Sequence, residues 1–158
     1  IFSPETAYQI TSMLEGAIQR GTGKGLRDLK LDLAGKTGTT NKNTDTWFIG
    51  FTSKLVIGVY VGFDEPQTLG KRETGAKTAM PIFKEFIKIA VKKKDARPFK
   101  VADKITMMVI DPKTGKKASF GTKKTIIEAY KKDKIEIKNA TNFDINNILK
   151  NNNILRFY

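Results

Sequence analysis

No cysteine and no histidine occur in these 158 residues. The first absence excludes disulfides and thiolate chemistry. The second removes a Ser-His relay and nearly every structural zinc site. Proton transfer therefore falls to lysine, carboxylate, hydroxyl or water, and neither a metal nor a cofactor is expected. Long apolar runs are missing as well. The longest, Leu55 to Phe63, is strand-sized and broken by glycine, far short of the roughly 18 to 20 residues that span a bilayer. Serine is scarce: Ser3, Ser12, Ser53 and Ser119 are the only four. None has a lysine three positions later, and none begins a Ser-x-Asn.

The chain opens at Ile1 with no charged-then-apolar leader, so it is expected to be an excised or processed piece of a longer protein. Its length suits one modest core, or a piece of a domain with an extension. The formal charge is +13, from 29 basic and 16 acidic residues. Such a balance favours polyanionic partners such as nucleic acid, anionic lipid or an acidic cell-wall polymer. A solvated face is the commoner fate of a charge run. Lys84, Lys88 and Lys92 recur at helical spacing opposite apolar residues, as solubilising lysines do. Nucleic-acid binders interleave arginine or aromatics with the basic patch, whereas lysine dominates here. A basic module for nucleic acid or a membrane surface is thus the alternative reading, and no nucleic-acid partner is expected.

Ser3-Pro4-Glu5 predicts a helix start: a serine cap, proline at the first helical position and an acid in the first turn. A one-sided apolar stripe follows from Ala7 through Ile18, and Gly21, Gly23 and Gly25 predict its end near Arg20. Gly21 to Lys30 reads as a basic loop. A short strand is expected around Ala34 to Thr40, then a polar turn over Asn41 to Asp45. Trp47 to Thr52 and Leu55 to Phe63 read as two strands joined at Ser53-Lys54. The second is apolar almost throughout, which predicts burial on both faces. Trp47, opening an apolar strand, is expected to belong to the core rather than to a substrate platform. After a Gly- and charge-rich loop, Pro81 is expected to open a helix with an apolar stripe of Phe83, Phe86, Ile87, Ala90 and Val91. Past a boundary at Ala96 to Phe99, Ile105 to Ile110 and Lys117 to Phe120 read as a second hairpin around Asp111 to Gly115, and Lys124 to Lys132 as a short helix. Three regions result: 1–98, an extension at 99–138, and an Asn-rich tail at 139–158 expected to be disordered and dispensable.

The chemistry concentrates at Lys36-Thr37-Gly38-Thr39-Thr40. Alone, Lys-Thr-Gly is a weak signal, as its second copy at Lys113-Thr114-Gly115 shows, where the preceding Asp-Pro makes a plain turn. The first copy differs in context: small residues precede it and an apolar hairpin follows. Gly38, lacking a side chain, lets an extended peptide lie against the strand and pair with its backbone. Hydroxyls at Thr37 and Thr39 share one side of a strand and, with Lys36, suit a carboxylate. The N–H of Thr39 can face a developing oxyanion, fixed before the reaction begins. Two other motifs fail. A phosphate-binding P-loop needs glycine where Lys30 stands, and Gly21-x-Gly23-x-Gly25 follows a helix and lacks dinucleotide-fingerprint spacing.

The segments SPETAYQITSMLEGAIQRGTGKG, LAGKTGTTNKNTDTWFIGFTSKLVIGVYVGFDEP and TAMPIFKEFIK, in this order and spacing, resemble the C-terminal part of the transpeptidase domain of class A (bifunctional) penicillin-binding proteins. The resemblance runs from about Phe2 to Pro98, weakens through Tyr130 and is absent from the tail. It implies an α+β fold, the C-terminal portion of the serine β-lactamase/penicillin-binding-protein transpeptidase fold. In it, antiparallel strands are flanked by helices, incomplete without the upstream half. By this resemblance Lys36 and Thr39 would be catalytic, Lys36 in proton relay with the Ser-x-Asn serine and the Thr39 N–H as half an oxyanion hole. Thr37, Gly38, Thr39 and Thr40 would bind substrate, with Thr37 and Thr39 holding the terminal carboxylate of a D-alanyl-D-alanine stem peptide or a β-lactam. The nucleophilic serine and the membrane anchor lie upstream in the family. The implied location is the periplasmic face of the bacterial inner membrane. The implied partners are the stem peptide or β-lactam, the missing upstream half, and a second copy recruited through an exposed strand edge.

Overall fold

The computed structural model describes residues 2–92 and 96–135; the Asn-rich tail and Lys93 to Asp95 lie outside them. Contacts divide the chain into two compact units, one of residues 10–100 and one of residues 1–9 with 101 onward.

Helix α1 (Pro4–Gln19) starts where the sequence predicts. The Thr6 N–H donates to Ser3 Oγ at 3.3 Å and the Ala7 N–H to the Ser3 carbonyl at 2.9 Å, and the N–H that Pro4 lacks would have had no intrahelical partner. The helix closes in a tight turn, with the N–H groups of Gly21 and Gly23 both donating to the Ala17 carbonyl at 3.1 and 3.0 Å. The expected basic loop is in large part a 3-10 helix, Lys24–Leu29. Glycines stop the α-helix, but Leu26 and Leu29 are three residues apart, one 3-10 turn, and both are buried.

In the unit of residues 10–100, strands β1 (Ala34–Thr39), β2 (Asp45–Phe51) and β3 (Val56–Gly62) form an antiparallel sheet in the order β1-β2-β3. The register aligns Thr37 with Phe48 and Val59, and Gly38 with Trp47 and Tyr60. The Thr37–Phe48–Val59 face meets helix α2 (Ala79–Ala90). Phe48 and Phe83 are fully buried with ring centroids 4.7 Å apart. Their approach requires Gly50, because a Cβ there would lie 2.7 Å from Phe83 Cζ.

The opposite face corrects two expectations. Val56 is 70% exposed and Tyr60 48%, while Ile57, Val59 and Val61 are half-buried, so β3 alternates instead of burying both faces. Trp47 is 42% exposed and tilts against Tyr60 at 5.0 Å rather than entering the core. Ile49, on the same side, is 49% exposed. Helix α2 also differs in detail. It begins at Ala79, with Pro81 third, still within the turn whose N–H groups lack intrahelical acceptors. Phe83 and Ile87 centre its buried face, whereas Phe86 is exposed on its flank.

In the second unit, β4 (Ile105–Ile110) pairs antiparallel with β5 (Ile126–Lys131). The expected partner strand, Lys117 to Phe120, makes one bridge, Lys117 to Ile110. The expected helix over Lys124 to Lys132 is β5. Its Ile-Ile and Tyr are strand-favouring residues that outweigh a loose helical spacing. The turn itself is as predicted, with the Lys113 N–H on Asp111 Oδ1 at 2.8 Å and Gly115 at φ 68°. Tyr8, Ile105, Ile110 and Ala129 are buried in this unit, where Gln9 Nε2 donates to the Ala129 carbonyl at 3.0 Å and Lys131 Nζ to Thr6 Oγ1 at 2.7 Å.

Candidate active site

The Lys-Thr-Gly segment is β1, an edge strand whose only described partner is β2. The Thr40 N–H donates to the Asp45 carbonyl at 3.0 Å. In an antiparallel ladder the backbone groups of successive residues point alternately to either side. Lys36, Gly38 and Thr40 therefore bond to β2, and the N–H and C=O of Thr37 and Thr39 point to the unpaired edge. That edge offers an extended peptide two donors and two acceptors.

The side chains divide by the same alternation. Thr37 and Thr39 lie on the α2 side of the sheet and Lys36 on the other, yet the lysine folds over the edge. Its Nζ donates to the Thr37 carbonyl at 2.9 Å and to Thr37 Oγ1 at 3.3 Å. A cation, a hydroxyl and two edge N–H groups are thereby gathered where an anion could be held. Gly38 has a second reason to be glycine. A Cβ there would stand 3.2 Å from Trp47 Cβ, so the cross-strand neighbour already fills the space. Thr40 is not with this group. Its Oγ1 accepts the Asp45 N–H at 2.8 Å and lies 2.8 Å from Thr44 Oγ1, inside the turn that carries Lys42 and Asn43 at positive φ. Asp45 is held below the usual carboxylate range by hydrogen bonds from the Tyr60, Thr44 and Thr40 hydroxyls.

Two residues that sequence reasoning did not single out touch the strand. Thr22 Oγ1 lies 2.9 Å from Thr37 Oγ1, and the Gly75 N–H donates to Thr39 Oγ1 at 3.1 Å. Gly75 is pressed onto the ladder, where a Cβ would meet the Trp47 carbonyl and come within 2.6 Å of the Gly38 carbonyl. A hydroxyl set between Gly21 and Gly23 was a signal for Thr22, though the glycines read first as helix breakers. Gly75 had no local signal, since its contact spans 36 residues. Among the described residues, no three of His, Cys, Asp and Glu are grouped to hold a metal.

The model of the penicillin binding protein transpeptidase domain matches residues 1–88 of this chain. Penicillin-binding protein 1A of Rickettsia conorii is 49% identical over 130 residues, 82% of this chain and 16% of its own length. Its counterpart from Pseudomonas aeruginosa is 45% identical over 134 residues, 84% of this chain and 16% of its own. The crystal structure of penicillin-binding protein 1A from Haemophilus influenzae superposes with a TM-score of 0.72 at 36% identity, covering 81% of this chain and 20% of that one. The chain thus spans 16% of the length of these relatives. Its antiparallel sheet and flanking helices correspond to part of that solved fold. The chain belongs to the penicillin-binding protein transpeptidase family and carries part of a class A transpeptidase domain.

Proposed function

We propose that these residues furnish one wall of the active site of a D,D-transpeptidase that cross-links peptidoglycan through a serine acyl-enzyme. The observation that carries this reading is the unpaired edge of β1, where Lys36 Nζ lies against Thr37 and the Thr39 N–H points outward. The Thr37 and Thr39 hydroxyls bind the terminal carboxylate of a D-alanyl-D-alanine stem peptide, or that of a β-lactam, with Lys36 supplying positive charge. The stem peptide lies along the edge past Gly38 and pairs with the Thr37 and Thr39 backbone. The Thr39 N–H stabilises the oxyanion as acylation proceeds, one donor of the pair such a site needs. Lys36 relays a proton within the same group.

The nucleophile comes from polypeptide outside these residues, because no serine here has a lysine three positions on. The same polypeptide covers the Trp47–Tyr60 face and pairs with the outer edge of β3. The active site works at the periplasmic face of the inner membrane. Among the described residues no helix is long and apolar enough to cross a membrane, and attachment is assigned to the longer protein.

Acylation of the full-length protein by a fluorescent penicillin tests this reading. Lys36→Ala removes the relay charge, and Thr39→Pro deletes the N–H aimed at the oxyanion. Each should slow acylation on the order of a hundredfold or more. Rates within a factor of about two of the unmodified protein would take β1 out of the active site.

A further inference from the structure

We propose that Thr22 and Gly75 are positioning residues that turn the hydroxyl protons of Thr37 and Thr39 toward a bound carboxylate. The inference rests on the proposed carboxylate site and deepens it. A threonine hydroxyl has one proton and two lone pairs. It serves an anion only if that proton is left for the anion, so whatever else touches the oxygen must donate to it.

At Thr39 the backbone meets this condition. The Gly75 N–H can only donate, and it does so to Thr39 Oγ1 at 3.1 Å. Among the described residues the Thr39 proton has no acceptor, so it is free for a ligand. The loop cannot drift from this position without losing other ties. The Leu69 N–H donates to the Asn43 carbonyl at 2.8 Å, Asn43 Nδ2 to the Gly70 carbonyl at 3.1 Å, and Thr78 Oγ1 lies 2.6 Å from Thr46 Oγ1. Contact this close needs glycine at 75, because a side chain would run into the Gly38 and Trp47 carbonyls.

At Thr37 the arrangement is conditional. Lys36 Nζ, a donor without acceptor capacity, occupies one side of Oγ1 at 3.3 Å. Thr22 Oγ1, at 2.9 Å, can be donor or acceptor. When a carboxylate takes the Thr37 proton, Thr22 must turn its own proton to Thr37 Oγ1. Thr22 is thus the member of the chain that switches direction as the anion binds. The tight turn after α1 delivers it to β1. The N–H groups of Gly21 and Gly23 share the Ala17 carbonyl, and a Cβ at Gly23 would come within 3.2 Å of that oxygen.

The test uses the full-length protein with benzylpenicillin and its methyl ester, which differ only in the free carboxylate. Thr22→Val keeps the shape and removes the hydroxyl, Thr22→Ser restores it, and Gly75→Ala forces the loop off the strand. The valine and alanine variants should weaken pre-acylation binding of benzylpenicillin roughly five- to twentyfold. The ester should change less than twofold, and serine should recover most of the loss. Equal losses for acid and ester, or no loss for either, would overturn the proposal. Thr37→Val and Thr39→Val separate the two levels of argument. If they fail to discriminate acid from ester, the carboxylate site itself is wrong. If they discriminate and the Thr22 and Gly75 variants do not, only the positioning role fails. Unchanged melting temperatures show that the variants fold, and Thr22→Val, with Thr22→Ser as its rescue, decides the question should Gly75→Ala be unstable.

Discussion

Thr37, Thr39 and Thr40 are the same residue type within four positions, and their hydroxyls have three different fates. Thr37 is bracketed by Lys36 and Thr22, Thr39 accepts a backbone N–H, and Thr40 closes a turn. Strand alternation predicts the first two on one side and the third on the other; the partners come from residues far along the chain. Glu15 on α1 shows a different residue-level effect. Burial, with the Asp32 carboxylate adding repulsion, pushes its carboxyl up to about 7. The shift is upward for an acid, so the folded state holds the proton more tightly than the unfolded chain does. The resulting stability is fully present below the ordinary carboxylate pKa and is lost as pH rises through about 7. Glu15→Gln should therefore stabilise the protein at pH 8 by on the order of 1 kcal/mol, allowing for its partial exposure. At acid pH, where Glu15 is already neutral, it should be nearly silent. Urea midpoints at the two pH values check this, and an equal shift at both would sink it.

Helix α2 shows how one element divides its work. Phe83 is fully buried over Gly50 and against Phe48, whereas Phe86 is 53% exposed on the helix flank. Phe83→Ala should cost about 3–5 kcal/mol, the usual range for emptying a packed aromatic site. Phe86→Ala in the same chain should cost under about 1 kcal/mol. Comparable losses would mean that Phe86 is buried in the protein as it exists. The lysines on this helix are less idle than their spacing suggests. Lys84 Nζ reaches both the Gly25 carbonyl and Asp28 Oδ2 at 2.8 Å, tying α2 to the 3-10 helix and holding the Asp28 carboxyl below its usual range. Elements with strong local signals, α1 with its serine cap and the hairpin around Ser53-Lys54, were legible in sequence to within a residue or two. The 3-10 helix and β5 were not, because glycine clusters and short mixed runs leave two local conformations close in energy, and burial of Leu26, Leu29 and Ala129 decides between them.

For the molecule as a whole, the largest consequence is an incomplete sheet. Among the described residues β3 pairs only with β2, and Trp47, Ile49, Val56 and Tyr60 stand exposed on one face. An apolar strand with an unpaired edge is a template for association. The 158 residues alone should therefore self-associate or bind the upstream segment when it is supplied as a separate chain, as sedimentation would show; a stable monomer over a wide concentration range would count against this. The same chain, incubated with a fluorescent penicillin and then denatured, should carry no covalent label. Label mapped to Ser3, Ser12, Ser53 or Ser119 would overturn an external nucleophile. Of all this, the sequence by itself determined the strand proposed to bear the chemistry, the family, and the absence of a Ser-x-x-Lys, since each is a matter of residue identity and spacing along a few contiguous positions. Only the tertiary structure decided which threonine keeps a free proton, which face of Trp47 meets solvent, and that Thr22 and Gly75 belong beside β1. Those depend on contacts between residues up to 36 positions apart, made when the loop after β3 and the turn after α1 close on the same strand, and no local pattern records such closure.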